Sequence, residues 1–65
     1  MKGQELKRWR ESHGLTQQQL ADEVGVTWVT IARWEAGSRS PNKFTLPLLE
    51  KAIARIERRQ GKAAA

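Results

Sequence analysis

Apolar residues recur along this chain at intervals of three and four positions, the spacing of one face of an α-helix. These intervals are interrupted at Gly14, Gly25 and Gly37, and no stretch alternates apolar and polar residues as a half-buried strand does. The pattern therefore predicts an all-α chain. Its helices are expected near residues 3–13, 16–25, 27–37 and 45–60.

The boundaries of the second and third predicted helices carry the clearest local signals. Thr16 is a favoured N-cap residue, and Gln19 follows three positions later, the spacing of a capping box. Gly25 is expected to end the second helix, and Thr27 to cap the third. Two helices joined by a turn of about three residues that contains glycine constitute the pattern of a helix-turn-helix.

Sixty-five residues allow one core and no second domain. We expect residues 1–61 to form the domain and residues 62–65 to be a disordered tail. Thr45 is expected to cap the last helix, with Phe44 packed on Leu49. The side chains expected in the core are Leu6, Trp9, Leu20, Ala21, Val24, Ile31, Trp34, Leu46, Leu49, Ala52, Ile53 and Ile56.

The composition narrows the classes of function. Twelve Lys and Arg against seven Asp and Glu leave a net charge of +5, which suits an anionic partner or simply aids solubility. The chain has no cysteine, and its one histidine, His13, is expected to cap the first helix. No metal site, cofactor or catalytic residue is therefore expected, and the chain is not expected to be an enzyme. Without a signal peptide or a long apolar run, the expected location is the cytoplasm, with no membrane association.

The stretch LTQQQLADEVGVTWVTIARWEAG, residues 15–37, closely resembles the DNA-binding domain of phage Cro and repressor proteins and their bacterial relatives, the XRE family. The resemblance extends to a first helix over residues 2–12 and to the loop over residues 39–44. It implies a lambda-repressor-like domain of four or five helices. Such domains usually end with two short helices, the last of which makes dimer contacts, whereas residues 45–60 here predict one uninterrupted helix.

The resemblance implies that the third helix enters the major groove of DNA with its first residues toward the base edges. The positions that match the family's base contacts are Thr27, Trp28, Val29 and Arg33. Arg33 is expected to bridge the two acceptors of a guanine, the alternative being a phosphate or an exposed carboxylate. Trp28 either presses on base or sugar edges or folds over its own helix.

Phosphate contacts are expected from the start of the second helix, where Gln17 joins free backbone N–H groups, and from the loop after the third helix. The loop charges are alternatively a solvated turn. The full set of expected phosphate contacts is Arg10, Gln17, Gln18, Thr30, Arg39, Ser40, Asn42 and Lys43.

Arg10 and Glu35 occupy positions where relatives pair an arginine of the first helix with a glutamate late in the third. The resemblance therefore predicts an ion pair that orients Arg10 near a phosphate; from the residues alone, both are equally well separate surface charges.

These features predict a sequence-specific, DNA-binding transcription regulator of bacterial or phage origin, a repressor that acts by operator occupancy. Its expected partner is double-stranded DNA, and no small-molecule effector is expected. The protein is expected to bind a palindromic site as a homodimer, whose two copies meet through the last helix or the Leu46–Ile56 face. The alternative is an antitoxin-like or adaptor module whose helix-turn-helix binds a protein. Trp28 and the long basic last helix favour that alternative.

Overall fold

The computed structural model describes residues 2–60, and within them the chain forms four α-helices and no strand. This confirms the all-α prediction, with four helices rather than five. The predicted tail over residues 62–65, together with Gly61, lies outside the described residues. The helices are α1 (Gly3–Ser12), α2 (Gln17–Val24), α3 (Trp28–Ala36) and α4 (Leu46–Arg59).

The predicted signals around the helix-turn-helix are confirmed. The hydroxyl of Thr16 accepts a hydrogen bond from the backbone N–H of Gln19 at 3.0 Å, and the Gln19 side chain accepts one from the Thr16 N–H at 2.8 Å. Gly25 ends α2 with a φ of 94°, in the left-handed region that favours glycine. Thr27 caps α3 by accepting from the N–H of Thr30 at 3.4 Å.

One apolar core joins the four helices. Leu20, Ile31, Leu49 and Ile56 are its largest fully buried side chains, and Trp34 is 5% exposed. The prediction that Trp9 is a buried core residue is wrong, because its side chain packs against the core but is only partly buried. Its ring is half-buried at the edge of the core, because its indole N–H turns outward to donate to Glu57 at 2.9 Å.

The core side of α4 is narrower than the sequence predicts. Leu49, Ala52 and Ile56 are buried against the rest of the chain, and Ile53 is half-buried. Leu46 is exposed, so its predicted place in the core is wrong. Of the Leu46–Ile56 face that was one predicted dimer contact, Leu49, Ala52 and Ile56 are thus covered by the chain itself, and Leu46 remains exposed.

Asn42, rather than Thr45, caps the entry to α4. The Asn42 side-chain oxygen accepts from the N–H groups of Phe44 and Thr45, and the Thr45 hydroxyl accepts from the Asn42 N–H at 2.8 Å. The predicted cap is wrong because Thr45 is already helical and its side chain points back to Asn42. Phe44 is 74% exposed, so its predicted packing on Leu49 is wrong as well.

Helix α1 approaches α3 at a glycine. A Cβ atom on Gly3 would overlap the backbone carbonyl oxygens of Trp34 and Glu35. Only a residue without a side chain permits this approach of the start of α1 to the end of α3. His13 ends α1, as predicted, with its Nδ1 2.8 Å from the Trp9 carbonyl oxygen.

An ion cluster that the sequence did not predict ties α4 to α2. Arg59 donates to the Glu23 carboxylate at 2.7 and 3.1 Å, and Arg55 donates to the Glu23 carbonyl oxygen at 2.7 Å. Arg55 also donates to the Glu23 carboxylate, at 3.4 Å. The hydrogen bonds to the carboxylate, above all those from Arg59, hold the pKa of Glu23 below its ordinary value. Across residues 2–60, every helix is too short or too polar to span a bilayer.

Candidate nucleic-acid interface

The first turn of α3 presents an uncovered surface. Thr27 and Arg33 are exposed, Trp28 is 50% exposed, and Val29 is half-buried. Ile31 and Trp34 occupy the opposite side of the helix, inside the core. All four side chains predicted to contact bases therefore lie at the surface or at its margin.

Arg33 lines a cleft between α3 and the loop that follows it. The cleft has a volume of about 210 Å³. Five of the predicted contact residues line it, together with Trp34 and Thr45: Thr30, Arg33, Arg39, Ser40 and Asn42. The fold thus brings a predicted base contact and predicted phosphate contacts into one concave surface.

The loop beside this cleft has both free and engaged donors. Lys43 lies with its ammonium 5.4 Å from the centroid of the Phe44 ring, and no carboxylate among residues 2–60 pairs with it. The backbone N–H of Phe44 is engaged, because it donates to the Asn42 side-chain oxygen at 2.8 Å. The side-chain N–H groups of Asn42 donate to no residue of the range 2–60.

Arg10 and Glu35 form a buried ion pair between α1 and α3. The guanidinium donates to the two carboxylate oxygens at 2.6 and 3.1 Å, and a third hydrogen bond runs to the Leu15 carbonyl oxygen at 2.8 Å. The Arg10 side chain is 11% exposed and that of Glu35 is 4% exposed. The hydrogen bond to Glu35 raises the pKa of Arg10, and burial opposes that change only in part.

Gln17 belongs to the same buried group. Its side-chain amide donates to the Glu35 carboxylate at 3.1 Å, which fixes the amide at the start of α2. One amide N–H is used in this bond, and the other remains for an external acceptor. Sequence reasoning paired Glu35 with Arg10 alone. It missed this contact because nothing local links residues 18 positions apart.

Gln18 lies apart from these two groups. Its amide donates to Asp22, one turn later on α2, at 2.9 Å, and both side chains are exposed. The predicted phosphate contact of Gln18 thus competes with an interaction inside its own helix.

Three of the eleven Lys and Arg side chains in residues 2–60 are ion-paired, and eight make no ion pair there; three of those eight lie beside the exposed turn of α3. Arg10, Arg55 and Arg59 are ion-paired within the fold. Arg33, Arg39 and Lys43, which lie on α3 and the adjoining loop, make no ion pair with any residue of the range 2–60. The unneutralised charge beside the exposed turn of α3 is what a polyanion requires.

Known proteins share this arrangement at the level of sequence. A family model described as helix-turn-helix matches residues 6–58. The "Uncharacterized HTH-type transcriptional regulator YqaE" of Bacillus subtilis (strain 168) is 41% identical over 46 residues, which are 71% of this chain and 40% of that protein. The chain therefore spans less than half the length of that relative.

A second relative is matched over more of its length. An "Uncharacterized HTH-type transcriptional regulator" of Methanothermobacter thermautotrophicus is 38% identical over 50 residues, which cover 77% of this chain and 72% of that protein. No solved structure matches the chain.

Proposed function

The chain belongs to the XRE-type helix-turn-helix family of DNA-binding transcription regulators, and we propose that it is a sequence-specific repressor that acts by occupying its operator. The observation that carries this proposal is the uncovered first turn of α3 beside three unpaired cations, Arg33, Arg39 and Lys43. A repressor of this kind acts in the cytoplasm, on the nucleoid of a bacterium or on phage DNA, by excluding other proteins from the operator.

In this proposal α3 enters the major groove, and its exposed side contacts base edges. Arg33 donates from its planar guanidinium to the O6 and N7 atoms of one guanine. Val29 and the methyl group of Thr27 contact apolar parts of neighbouring bases. Trp28 lies between them at the start of the helix. Arg33 gives the largest discrimination, about 1–3 kcal/mol, since one wrong base leaves its donors without acceptors.

Phosphate contacts position α3 in the groove. The amide of Gln17, held by Glu35, and the free N–H groups at the start of α2 bind one phosphate. Three of the guanidinium N–H groups of Arg10 are used inside the protein, so its effect on this phosphate is mainly indirect. Arg10 holds the Glu35 carboxylate, which in turn positions the Gln17 amide. The cleft side chains and their neighbours bind the next phosphates: Thr30, Arg39, Ser40, Asn42 and Lys43.

A homodimer on a palindromic operator completes the proposal, since one small module buries only about 600–1,000 Å² on DNA. The apolar side chains that remain exposed near the start of α4 are Phe44, Leu46 and Leu48. They are the surface we assign to the dimer contact. Leu48→Glu should then abolish cooperative binding to two half-sites while leaving binding to one half-site intact.

Selection of bound fragments from a random DNA pool tests the proposal. We expect enriched fragments to share a palindrome with half-sites about 34 Å apart. Their affinity should fall steeply with salt, and a sequence-dependent part should survive excess competitor DNA. Fragments without a common sequence, together with a protein that co-purifies with the chain, would instead establish the adaptor module. Arg33→Ala and Arg58→Ala form a matched pair, because Arg58 is exposed near the far end of α4 and makes no ion pair with any residue between 2 and 60.

A further inference from the structure

We infer that Trp28 is the residue that selects thymine in the operator, through the 5-methyl group and the O4 atom of that base. This inference rests on the proposed function and adds to it the chemical identity of one recognised base. It starts from the state of the three tryptophans, of which Trp28 alone is exposed.

The indole N–H of Trp28 makes no hydrogen bond within the described part of the chain. Trp34 is buried in the core, and the indole N–H of Trp9 donates to Glu57 at 2.9 Å. Trp28 is the first residue of α3 and is 50% exposed, and its N–H has no acceptor among residues 2–60. Trp28 therefore offers exposed indole surface, and a donor that no residue of the range 2–60 engages, at the start of α3.

The polar side chains beside Trp28 satisfy each other. The hydroxyl groups of Thr27 and Thr30 lie 3.1 Å apart in a mutual hydrogen bond, and the Thr27 hydroxyl also accepts from the Thr30 N–H. Their capacity to hydrogen-bond a base is reduced. Trp28 is the large apolar side chain of α3 that remains exposed.

The residues one turn along α3 extend this surface in two rows. Ala32 follows Trp28 by four positions, and Arg33 follows Val29 by four, so each pair lies one above the other on the helix. The row of Trp28 and Ala32 is apolar, whereas the row of Val29 and Arg33 begins with an apolar side chain and ends with a cation. This arrangement matches a methyl-bearing base next to a guanine.

Thymine matches both properties of the indole. In the major groove it presents a methyl group and the O4 acceptor, whereas cytosine presents an amino donor and no methyl group. The ring of Trp28 contacts the methyl group, and its N–H donates to O4. Against cytosine the indole N–H would face another donor. The result is selection of thymine at one position of each half-site.

A scan of the selected operator with 2′-deoxyuridine tests this inference, because each replacement removes one methyl group and nothing else. We expect the wild-type protein to lose about fourfold in affinity at the thymine that Trp28 contacts, the value of one buried methyl group, whereas a penalty at a base contacted by Val29 or Thr27 should persist in Trp28→Ala. Trp28→Ala should bind more weakly and no longer distinguish thymine from uracil there. Trp28→Phe, which keeps an apolar ring, should retain the methyl dependence, and circular dichroism should show both variants folded.

Arg33→Ala is the matched control: it should weaken binding and keep the uracil penalty. If Trp28→Ala shows the same penalties as the wild type at every thymine, or if the wild type shows none, the inference is overturned while the proposed function stands. If the random pool yields no specific sequence at all, the proposed function fails, and the inference falls with it.

Discussion

Glu35, on the helix proposed to enter the major groove, holds Arg10 of α1 through both of its carboxylate oxygens, at 2.6 and 3.1 Å. The oxygen at 3.1 Å from Arg10 also accepts from Gln17 of α2. One buried carboxylate thereby links α1, α2 and α3 at the edge of the proposed interface. No buried side-chain polar atom among residues 2–60 is left without a hydrogen-bond partner.

Removing the arginine of this pair should destabilise the fold strongly. Arg10→Met leaves the Glu35 carboxylate buried with only Gln17 as a partner, and we expect a loss of about 3–5 kcal/mol in the free energy of unfolding. Urea denaturation followed by circular dichroism measures it. Glu11→Gln is the control, because Glu11 is exposed and lies 4.0 Å from Arg10. The double variant Arg10→Met with Glu35→Leu should recover much of the loss, and equal losses in single and double variants would contradict this account.

Arg33→Ala should relax the preference at one base position. The variant is expected to lose about 1–3 kcal/mol on the selected operator and much less on random DNA, because the guanine contact is made only in the specific complex. Fluorescence anisotropy with labelled duplexes measures both affinities. Equal losses on operator and random DNA would show that Arg33 contacts a phosphate instead.

Lys43→Ala should weaken binding to all sequences alike. Loss of one phosphate contact lowers the slope of log K against log salt by about 1. Binding titrations at several salt concentrations give the slope. Lys51→Ala is the control, since Lys51 is exposed on the middle of α4, where no DNA contact is proposed. A slope that is unchanged in Lys43→Ala, or reduced as much in Lys51→Ala, would remove Lys43 from the interface.

Gly3→Ala should separate the start of α1 from the end of α3. The added Cβ meets two backbone carbonyl oxygens, which cannot rotate away as a flexible side chain would. We expect a cost of about 1–3 kcal/mol in the free energy of unfolding, although alanine is the better helix former. Chemical denaturation measures it, with Gln4→Ala on the exposed side of α1 as the control. A Gly3→Ala variant as stable as Gln4→Ala would contradict the close approach.

Acid should weaken the attachment of α4 to α2. The pKa of Glu23 is lowered by its hydrogen bonds from Arg59 and Arg55, so its ionised form is favoured in the folded state. The stability that this carboxylate contributes is present above its ordinary pKa of 4.5 and is lost as the pH falls through the lower, folded value. Unfolding free energies of the wild type and Glu23→Gln should therefore converge in acid. A constant difference between the two across the pH range would contradict this prediction.

Interactions between residues close together in the sequence made the helices and the turn between α2 and α3 predictable. The caps at Thr16 and Thr27 and the turn at Gly25 each depend on residues within four positions, so their spacing alone indicates the helix-turn-helix. The same local logic failed at the entry to α4, where Thr45 and Asn42 are both good caps. Asn42 prevails because its side chain satisfies two N–H groups at once.

Contacts between distant residues required the folded chain. The packing of whole helices decides three contacts that spacing along the chain does not predict. These are the hydrogen bonds between Glu35 and Gln17, between Glu23 and Arg59, and between Trp9 and Glu57. Spacing along a helix specifies which side a residue occupies but not which residue of another helix lies opposite. The positions and order of the helices along the chain thus follow from the amino-acid pattern. The ion pairs form only when folding brings remote side chains within hydrogen-bonding distance. The tertiary structure therefore decides which arginines are paired inside the protein and are not available to DNA.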